Sequence, residues 1–439
     1  MNEEFPIFSG GWQTAKLRRK LRAADGIRIG PFGSALTLDQ MVSDGYKVYG
    51  QENVISDDFT AGSRYITPSK YAELKACSIN SGDLLVTMMG TTGRCCVVPK
   101  DIQVGIMDSH LIRLRFQKEI DPDFMALLID KGHYIREQIG AAGKGTIMSG
   151  LNSAIIKDVW IGLPDLKVQR HLVRYVAEQT AQIDQLMDMR RRQMALLKEQ
   201  RAAVIQEAVT RGLNPNASMK DSGLPWLGEI PAHWKLVPLK YLCEFSGGGT
   251  PSKENISYWT GGDIPWVSPK DMKTFWISDT QDKLTVQAVK ESSTNFVESG
   301  ALLMVVRSGI LQRTIPIAIN MVRVTLNQDM KALRFNLKMN VEFAANFILG
   351  LQDSLLLQWL KEGATVESIE HNYLSSSLFP LPPINEQQEI VAFIERQNEI
   401  LDNIHAAYTR QLALLTEYRA ALIHECVTGQ RNVPETVTA

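Results

Sequence analysis

The chain has 439 residues, 44% of them hydrophobic and 22% charged, with a formal net charge of −1. That composition excludes a disordered or fibrous chain, and the length exceeds what one ordinary core uses, so two to four domains are expected. The balanced charge lacks the overall basic surface of a dedicated nucleic-acid module, which leaves local clusters such as "KLRRKLR" (16–22) and "RRR" (190–192), each of which also reads as a solvated helix face.

The opening "MNEEFPIFSGG" is acidic where a signal peptide is basic, and even "ALLMVV" (301–306) is too short to span a bilayer, so a soluble cytoplasmic protein is expected. The five cysteines, Cys77, Cys95, Cys96, Cys243 and Cys426, are odd in number and form no CxxC pair. Reduced structural thiols are expected, with no disulfide framework and no zinc site.

Residues 1–162 carry short β-rich runs ("DLLVTMM", "RCCVVP", "HLIRLRF") punctuated by Gly, Ser and Pro, with a helical stretch near 122–138. From Val168 to Thr210 there is neither Gly nor Pro, and the composition favours one long helix that starts after "LPDL" and stops at Gly212. Residues 214–380 return to short β-rich runs ("ALLMVV", "IPIAI"), with a helical stretch near 340–361. A second long helix follows "LPPINE" and stops near Gly429. Each half is thus a mixed α and β domain followed by a long helix, an α+β architecture.

The two halves share one register. "LPDLKVQRHLVRYV" (163–176) aligns with "LPPINEQQEIVAFI" (381–394) at an offset of 218, which also relates Asp184 to Asp402, Arg192 to Arg410, and "QRAAVIQEAVT" (200–210) to "YRAALIHECVT" (418–428). Upstream, "SGDLLVTMMG" (81–90) sits over "SGALLMVVRS" (299–308) and "YKVYGQENV" (46–54) over "IPWVSPKDM" (264–272). The helices are close copies, whereas the preceding domains agree only at framework points such as Trp12 with Trp234.

Forty-odd residues at 1.5 Å each make a rod of roughly 65 Å, longer than one domain needs to cover its core. The apolar positions Leu172, Val176, Ile183, Leu186, Leu197 and Val204, matched by Ile390, Ile394, Leu401, Ile404, Leu415 and Leu422, define a seam along which the copies would pair as a coiled coil. Polar Gln179, Arg190 and Gln193 interrupt it, either fixing register or facing helices of another chain. Two unpaired core helices in separate domains would leave their near-identity unexplained.

The loops of the two domains differ in sequence but share a chemistry. "RIGPFGSALT" (28–37), "GTTGR" (90–94) and "GAAGKGT" (140–146) in the first half, and "SGGGTPSKEN" (246–255), "VRSGILQR" (306–313) and "KEGATVES" (361–368) in the second, combine small residues with cations and hydroxyls. Such loops suit a phosphate backbone, although each one alone also reads as an ordinary turn. Catalytic motifs are missing. "FSGGGT" (245–250) has no DPPY- or NPPF-like partner for S-adenosylmethionine chemistry, "GAAGKGT" lacks P-loop spacing, "ELK" (73–75) has no upstream PD, and the seven histidines form no HExxH.

This arrangement resembles the specificity subunit of type I restriction-modification enzymes, through "LPDLKVQRHLV" and "LPPINEQQEIV" leading into helices that close with "QRAAVIQEAVTRG" and "YRAALIHECVTGQ", and through "IGPFGSAL", "GTTGRCCVVP" and "GLPWLGEIPAHWKLVPL" (223–239). The first half departs from it, keeping only a short lead to Trp12 in place of a full "GLPWLGEIPAHW". The resemblance implies two target-recognition domains (1–164 and 214–382), two spacer helices (165–213 and 383–432) pairing antiparallel about a pseudo-two-fold repeat, and a short tail (433–439). It implies a non-catalytic subunit that reads a bipartite, asymmetric double-stranded DNA target. Its partners would be two copies of the modification (methyltransferase) subunit and the restriction subunit, with S-adenosylmethionine, ATP and Mg on those partners and no cofactor or metal of its own.

Loop chemistry and matched position select the DNA-contact candidates: Ser34, Gln51, Asn53, Thr92, Arg94 and Lys144 in the first domain; Thr250, Ser252, Lys253, Ser268, Lys270, Arg307, Ser308 and Arg313 in the second. The helix-pairing candidates are Val176, Ile183, Leu186, Leu197, Val204, Ile394, Leu401, Ile404, Leu415 and Leu422. A coiled-coil scaffold that bridges two identical proteins without touching DNA would use the helices and leave the loops without a purpose.

Overall fold

A computed structural model describes residue 8 and residues 11–32, 35–143, 151–361, 363 and 365–433. The chain divides into two compact units, one formed by Met1–Arg190 with Arg410–Ala439 and the other by Arg191–Thr409. The divide runs through both long helices rather than between a domain and its helix.

The helices are Leu166–Arg211 and Ile384–Thr428, with 46 and 45 residues. Each stops where glycine takes a left-handed conformation, Gly212 at φ +72° and Gly429 at φ +73°, which a residue with a Cβ adopts only with strain. Each starts directly behind a strand that closes the domain before it. Trp160–Leu163 pairs antiparallel with Gln13–Lys16, and Leu378–Leu381 pairs antiparallel with Lys235–Pro238, so the entry and exit of each domain lie side by side.

A buried glutamine fastens each helix to its domain. Gln169 donates Nε2 to Pro164 O (2.8 Å) and Glu119 O (3.2 Å), and its Oε1 accepts from the Asp121 N–H at 2.9 Å. Gln387, its counterpart by sequence offset, donates to Pro382 O and Lys338 O, both at 2.9 Å, and accepts from Asn340 N–H at 2.8 Å. Both side chains are sealed from solvent, 1% and 0% exposed, so these bonds replace water that the amide would otherwise bind.

The strand orders of the two units correspond. In the first unit, Ile27–Ile29, Leu111–Leu114, Leu84–Thr87 and Cys95–Val97 lie in that order, and a second sheet orders Tyr65–Ile66, Tyr46–Tyr49 and Gly105–Met107. In the second unit the order is Cys243–Gly247, Met330–Phe335, Leu302–Val305 and Ile317–Asn320, with Trp276–Ile277 added at the edge. The second sheet there runs Lys283–Leu284, Ile264–Val267 and Val324–Leu326, with Phe296–Val297 added. Both units share a parallel pairing, Tyr46–Tyr49 with Gly105–Met107 and Ile264–Val267 with Val324–Leu326, and the second unit adds another, Trp276–Ile277 with Ile317–Asn320.

Each unit's core joins a sheet face, the helices after it and segments of both long helices. In the first unit Leu172, Val176, Ile183 and Met187 of the first long helix share a core with Leu422, Ile423, Cys426 and Val427 of the second. In the second unit Ile205, Ala208 and Val209 share a core with Ile390, Val391 and Ile394. Ion pairs border both contacts: Arg419 with Asp184 in the first unit, Arg201 with Asp402 in the second.

The domain leads differ. In the second unit Met219–Asp221 and Glu229–Pro231 form a hairpin, and Trp234 is buried with its Nε1 donating to Glu386 Oε1 at 3.0 Å. Among the described residues the first unit has no such hairpin; Phe8 lies over Gly162, against Tyr134 (5.0 Å between ring centroids) and stacked on Trp12 (6.5 Å). Both leading tryptophans meet a phenylalanine edge-on, Trp12 with Phe124 and Trp234 with Phe343.

Candidate nucleic-acid interface

Ser34 and Lys144 lie outside the described residues. Thr92 is exposed at the turn between Leu84–Thr87 and Cys95–Val97, and Arg94 follows it with Nη1 at 3.3 Å from Asp130 Oδ1. Gln51 opens the helix Gln51–Ser56, half-buried, and its amide oxygen is a buried acceptor that no protein donor reaches.

Asn53, expected to contact bases, is instead a buried brace. It is 1% exposed, accepts from Gly50 N–H at 3.0 Å, and donates to Asp58 O and Ala61 O, both at 2.9 Å, which uses both of its N–H groups. Ser268, which lies over Gly50 in the matched segment, is likewise removed from the contact set. It is 4% exposed, and its hydroxyl donates to Asp271 Oδ2 at 2.7 Å to cap a short 3₁₀ turn. Short polar side chains at such starts bind their own backbone or a near neighbour first.

In the second unit the structure draws several candidates together. The turn at 327–329 is the hub: Val306 and Arg307 N–H both donate to Asp329 O, at 2.8 and 3.3 Å, and Thr250 Oγ1 donates to Gln328 Oε1. Ser308 N–H donates to Glu367 O at 3.0 Å, which ties the 306–313 loop to the segment that leads to His371. Arg307 keeps 62% of its side chain exposed although its Nε lies 3.7 Å from Asp329 Oδ1. Ser252 and Lys253 are exposed in the loop that carries Thr250, and Ser308 accepts from Ile310 N–H at 3.4 Å.

Two candidates stand apart from this hub. Lys270 is paired with Asp282 at 2.6 Å, and that hydrogen bond raises its pKa, holding the ammonium charged. Arg313 is exposed at the end of the Gly309–Gln312 turn.

The hub also holds residues that sequence reasoning passed over. Lys331 Nζ donates to His371 Nδ1 at 3.0 Å, beside Phe245, whose ring meets the imidazole edge-on at 5.1 Å. Burial lowers the pKa of both, and Lys331 lowers that of His371 further, so the imidazole is a neutral acceptor at pH 7. Gln328 is exposed at the tip of the turn. The arrangement offers hydrogen-bond donors, acceptors and cations on loops, the equipment for binding a polyanion and reading base edges. Among the described residues no group of three or more His, Cys, Asp or Glu could hold a metal ion, and no helix is long and apolar enough to cross a membrane.

Of the helix-pairing candidates, Val176, Ile183, Ile394, Leu401 and Leu422 are at most 5% exposed, and Leu197, Val204, Ile404 and Leu415 are half-buried. Leu186 is 44% exposed; Met187, at 9%, takes its place in the core. Leu172 to Ile183 and Val176 to Met187 are both steps of eleven residues, close to the period of a straight helix, whereas the strict heptad from Val176 and Ile183 falls on Leu186.

The family model of the type I restriction modification DNA specificity domain matches residues 231–412. The specificity subunit of the Escherichia coli type I restriction enzyme EcoR124I/EcoR124II is 37% identical over 187 residues, 43% of this chain and 45% of that protein. The MjaIX specificity subunit of Methanocaldococcus jannaschii is 30% identical over 191 residues, 40% of this chain and 43% of that protein. These alignments span less than half of either relative's length. Among solved structures, the HsdS subunit from Thermoanaerobacter tengcongensis aligns over 98% of this chain and 100% of its own with a TM-score of 0.62 at 17% identity. A chain from a study of complex assembly and conformational transition of the type I R-M system aligns over 97% and 99%, with a TM-score of 0.70 at 18% identity. At these identities the structures establish the fold. Residues 231–412 therefore match the type I restriction modification DNA specificity domain, and the fold of these solved structures is shared along nearly the whole length.

Proposed function

We propose that the chain is the DNA sequence-recognition subunit of a type I restriction-modification complex. Its two recognition domains would bind the two halves of a bipartite, asymmetric double-stranded target. The observation that carries this reading is the pairing of one strand order with two loop chemistries. Two scaffolds of the same topology present different exposed polar side chains, Thr92 and His110 in one and Gln328, Arg307 and Lys253 in the other. A common frame with separately varied loops is what recognition of two unlike half-sites needs.

The long helices complete the proposal. They would pair antiparallel as a coiled coil about a pseudo-two-fold repeat, set the distance between the recognition domains, and offer equivalent surfaces to two copies of the modification subunit. Half-sites on one face of B-DNA lie about 34 Å apart per turn, within the span of a rod of roughly 65 Å. The chain itself would bind without catalysis. Adenine methylation, with base flipping and S-adenosylmethionine, would belong to the modification subunit, and ATP- and Mg-dependent translocation and cleavage to the restriction subunit, in the cytoplasm.

The test is modified-base sequencing of DNA from cells that express this chain with its methyltransferase, against cells lacking only this chain. A bipartite methyladenine motif that vanishes with the chain is expected. Methylation that is unchanged by its removal would sink the proposal.

A further inference from the structure

Asp108–Ser109–His110 in the first unit and Asn327–Gln328–Asp329 in the second fold into the same turn. Asp108 N–H donates to Tyr49 O at 2.8 Å, and Asn327 N–H to Val267 O at 2.9 Å. The first side chain of each turn accepts from the N–H two residues on, Asp108 Oδ1 from His110 at 3.0 Å and Asn327 Oδ1 from Asp329 at 2.6 Å. The next residue folds back, Leu111 N–H to Asp108 O at 3.4 Å and Met330 N–H to Asn327 O at 3.2 Å. Finally, the carbonyl of the third residue takes the N–H that follows the neighbouring strand, Met88 to His110 O at 2.9 Å and Val306 to Asp329 O at 2.8 Å.

These four bonds that shape the backbone are therefore matched, while the side chains at the tips are not. The first tip presents Ser109 and a His110 that is 47% exposed; the second presents an exposed Gln328 beside Asp329. The residues below the tips are fixed. Asp108 Oδ2 is 3.1 Å from Arg64 Nη1, its side chain is only 9% exposed, and Asn327 is 8% exposed.

We propose that these tips are specificity-determining positions, Ser109–His110 for a base pair of the first half-site and Gln328 for an adenine of the second. The inference rests on the DNA-recognition reading above. Gln328 Oε1 accepts from Thr250 Oγ1, and Nε2 donates to Asp329 Oδ2 at 3.5 Å. A primary amide has two lone pairs and two N–H groups, so one acceptor and one donor remain, oriented by those two bonds. That pair complements the N6 amino group and N7 of adenine in the major groove. Arg307, whose N–H is held by the same turn, and Lys253, in the loop of Thr250, supply cations at its flank for phosphates.

The test uses the chain assembled with its modification subunits and sequences methylated adenines genome-wide for the unaltered chain and for Gln328→Ala, Gln328→Glu and His110→Ala. Gln328→Ala is expected to relax one position of the second half-site, with a roughly ten- to hundred-fold loss of discrimination there and no change in the first half-site or the spacing. His110→Ala is expected to do the reverse. Gln328→Glu, which can only accept, is expected to move the preferred base from adenine towards cytosine. An unchanged motif in Gln328→Ala and His110→Ala overturns the inference and leaves the recognition reading standing, because the unaltered chain still yields a motif. An unaltered chain that yields no motif overturns both. Equal loss of all methylation in both Gln328 variants, with unaltered thermal melting, also overturns it, since the residue would then govern affinity rather than base choice.

Discussion

Arg419 grips Asp184 with two nitrogens, Nε to Oδ1 at 2.9 Å and Nη2 to Oδ2 at 3.2 Å, and the residues at the same sequence offset, Arg201 and Asp402, form the reciprocal pair in the other unit. Exchanging the two copies turns one ion pair into the other. Both pairs sit at one helix-to-helix register, and each is partly solvated, with side chains 33% and 50% exposed for Arg419 and Asp184.

A partly exposed bidentate pair contributes at most about 1 kcal/mol, so its main service is to set register. Asp184→Arg is expected to lower the thermal midpoint by placing two guanidinium groups together, and the double exchange Asp184→Arg with Arg419→Asp to restore most of it. Additive losses in the double variant, read by calorimetry, would show that the two residues are not coupled.

Gln387→Ala should cost about 3 kcal/mol, because Asn340 N–H, Lys338 O and Pro382 O all lose their buried partner at once. The adjacent, exposed Gln388→Ala should change stability by no more than about 0.5 kcal/mol. Denaturant titration of both variants decides the matter, and equal effects would remove the fastening role.

The buried thiols should make stability fall in alkali. Burial pushes Cys243 up to about 12 and Cys426 up to about 11, so the folded chain keeps protons that an unfolded chain begins to release near pH 8.5. The unfolded state then binds fewer protons, and stability present below pH 8.5 declines as pH rises towards those values. Melting between pH 8 and 10 should show this decline, lessened in Cys243→Ala and Cys426→Ala. The same neutral thiols should resist alkylation at pH 8 until the chain is denatured.

Deleting four residues from the middle of the first long helix removes about one turn, roughly 6 Å. The methylated motif should then keep both half-sites and change its spacer, and exchanging residues 1–162 for a relative's domain should change one half-site alone. A deletion that loses a half-site while the spacer stays constant would count against the ruler.

The long helices were legible because their sequence is free of Gly and Pro; the first runs Leu166–Arg211 against an expected Val168–Thr210, and the second, Ile384–Thr428, starts inside "LPPINE" rather than after it. The seam was less so. Leu186 and Met187 fit a helical period almost equally well, and only the partner's packing chooses Met187. Asn53 and Ser268 misled because a polar residue at the start of a turn looks the same whether it faces a base or its own backbone. Ser109, His110 and Gln328 were missed because the offset between halves slips from 218 to 219 before this turn. The alignment of "MDSHLIRLRF" with "LNQDMKALRF" carries the signal.

The first unit takes Leu422, Ile423, Cys426 and Val427 into the core it shares with Leu172, Val176 and Ile183. During synthesis, the ribosome must translate the whole second recognition domain between those two sets. At about 5–20 residues per second, that leaves an apolar helix face uncovered for roughly ten to fifty seconds. The nascent first domain is therefore an aggregation hazard that a chaperone would have to shield, and a premature stop near residue 400 would release two unfinished units rather than one finished and one missing.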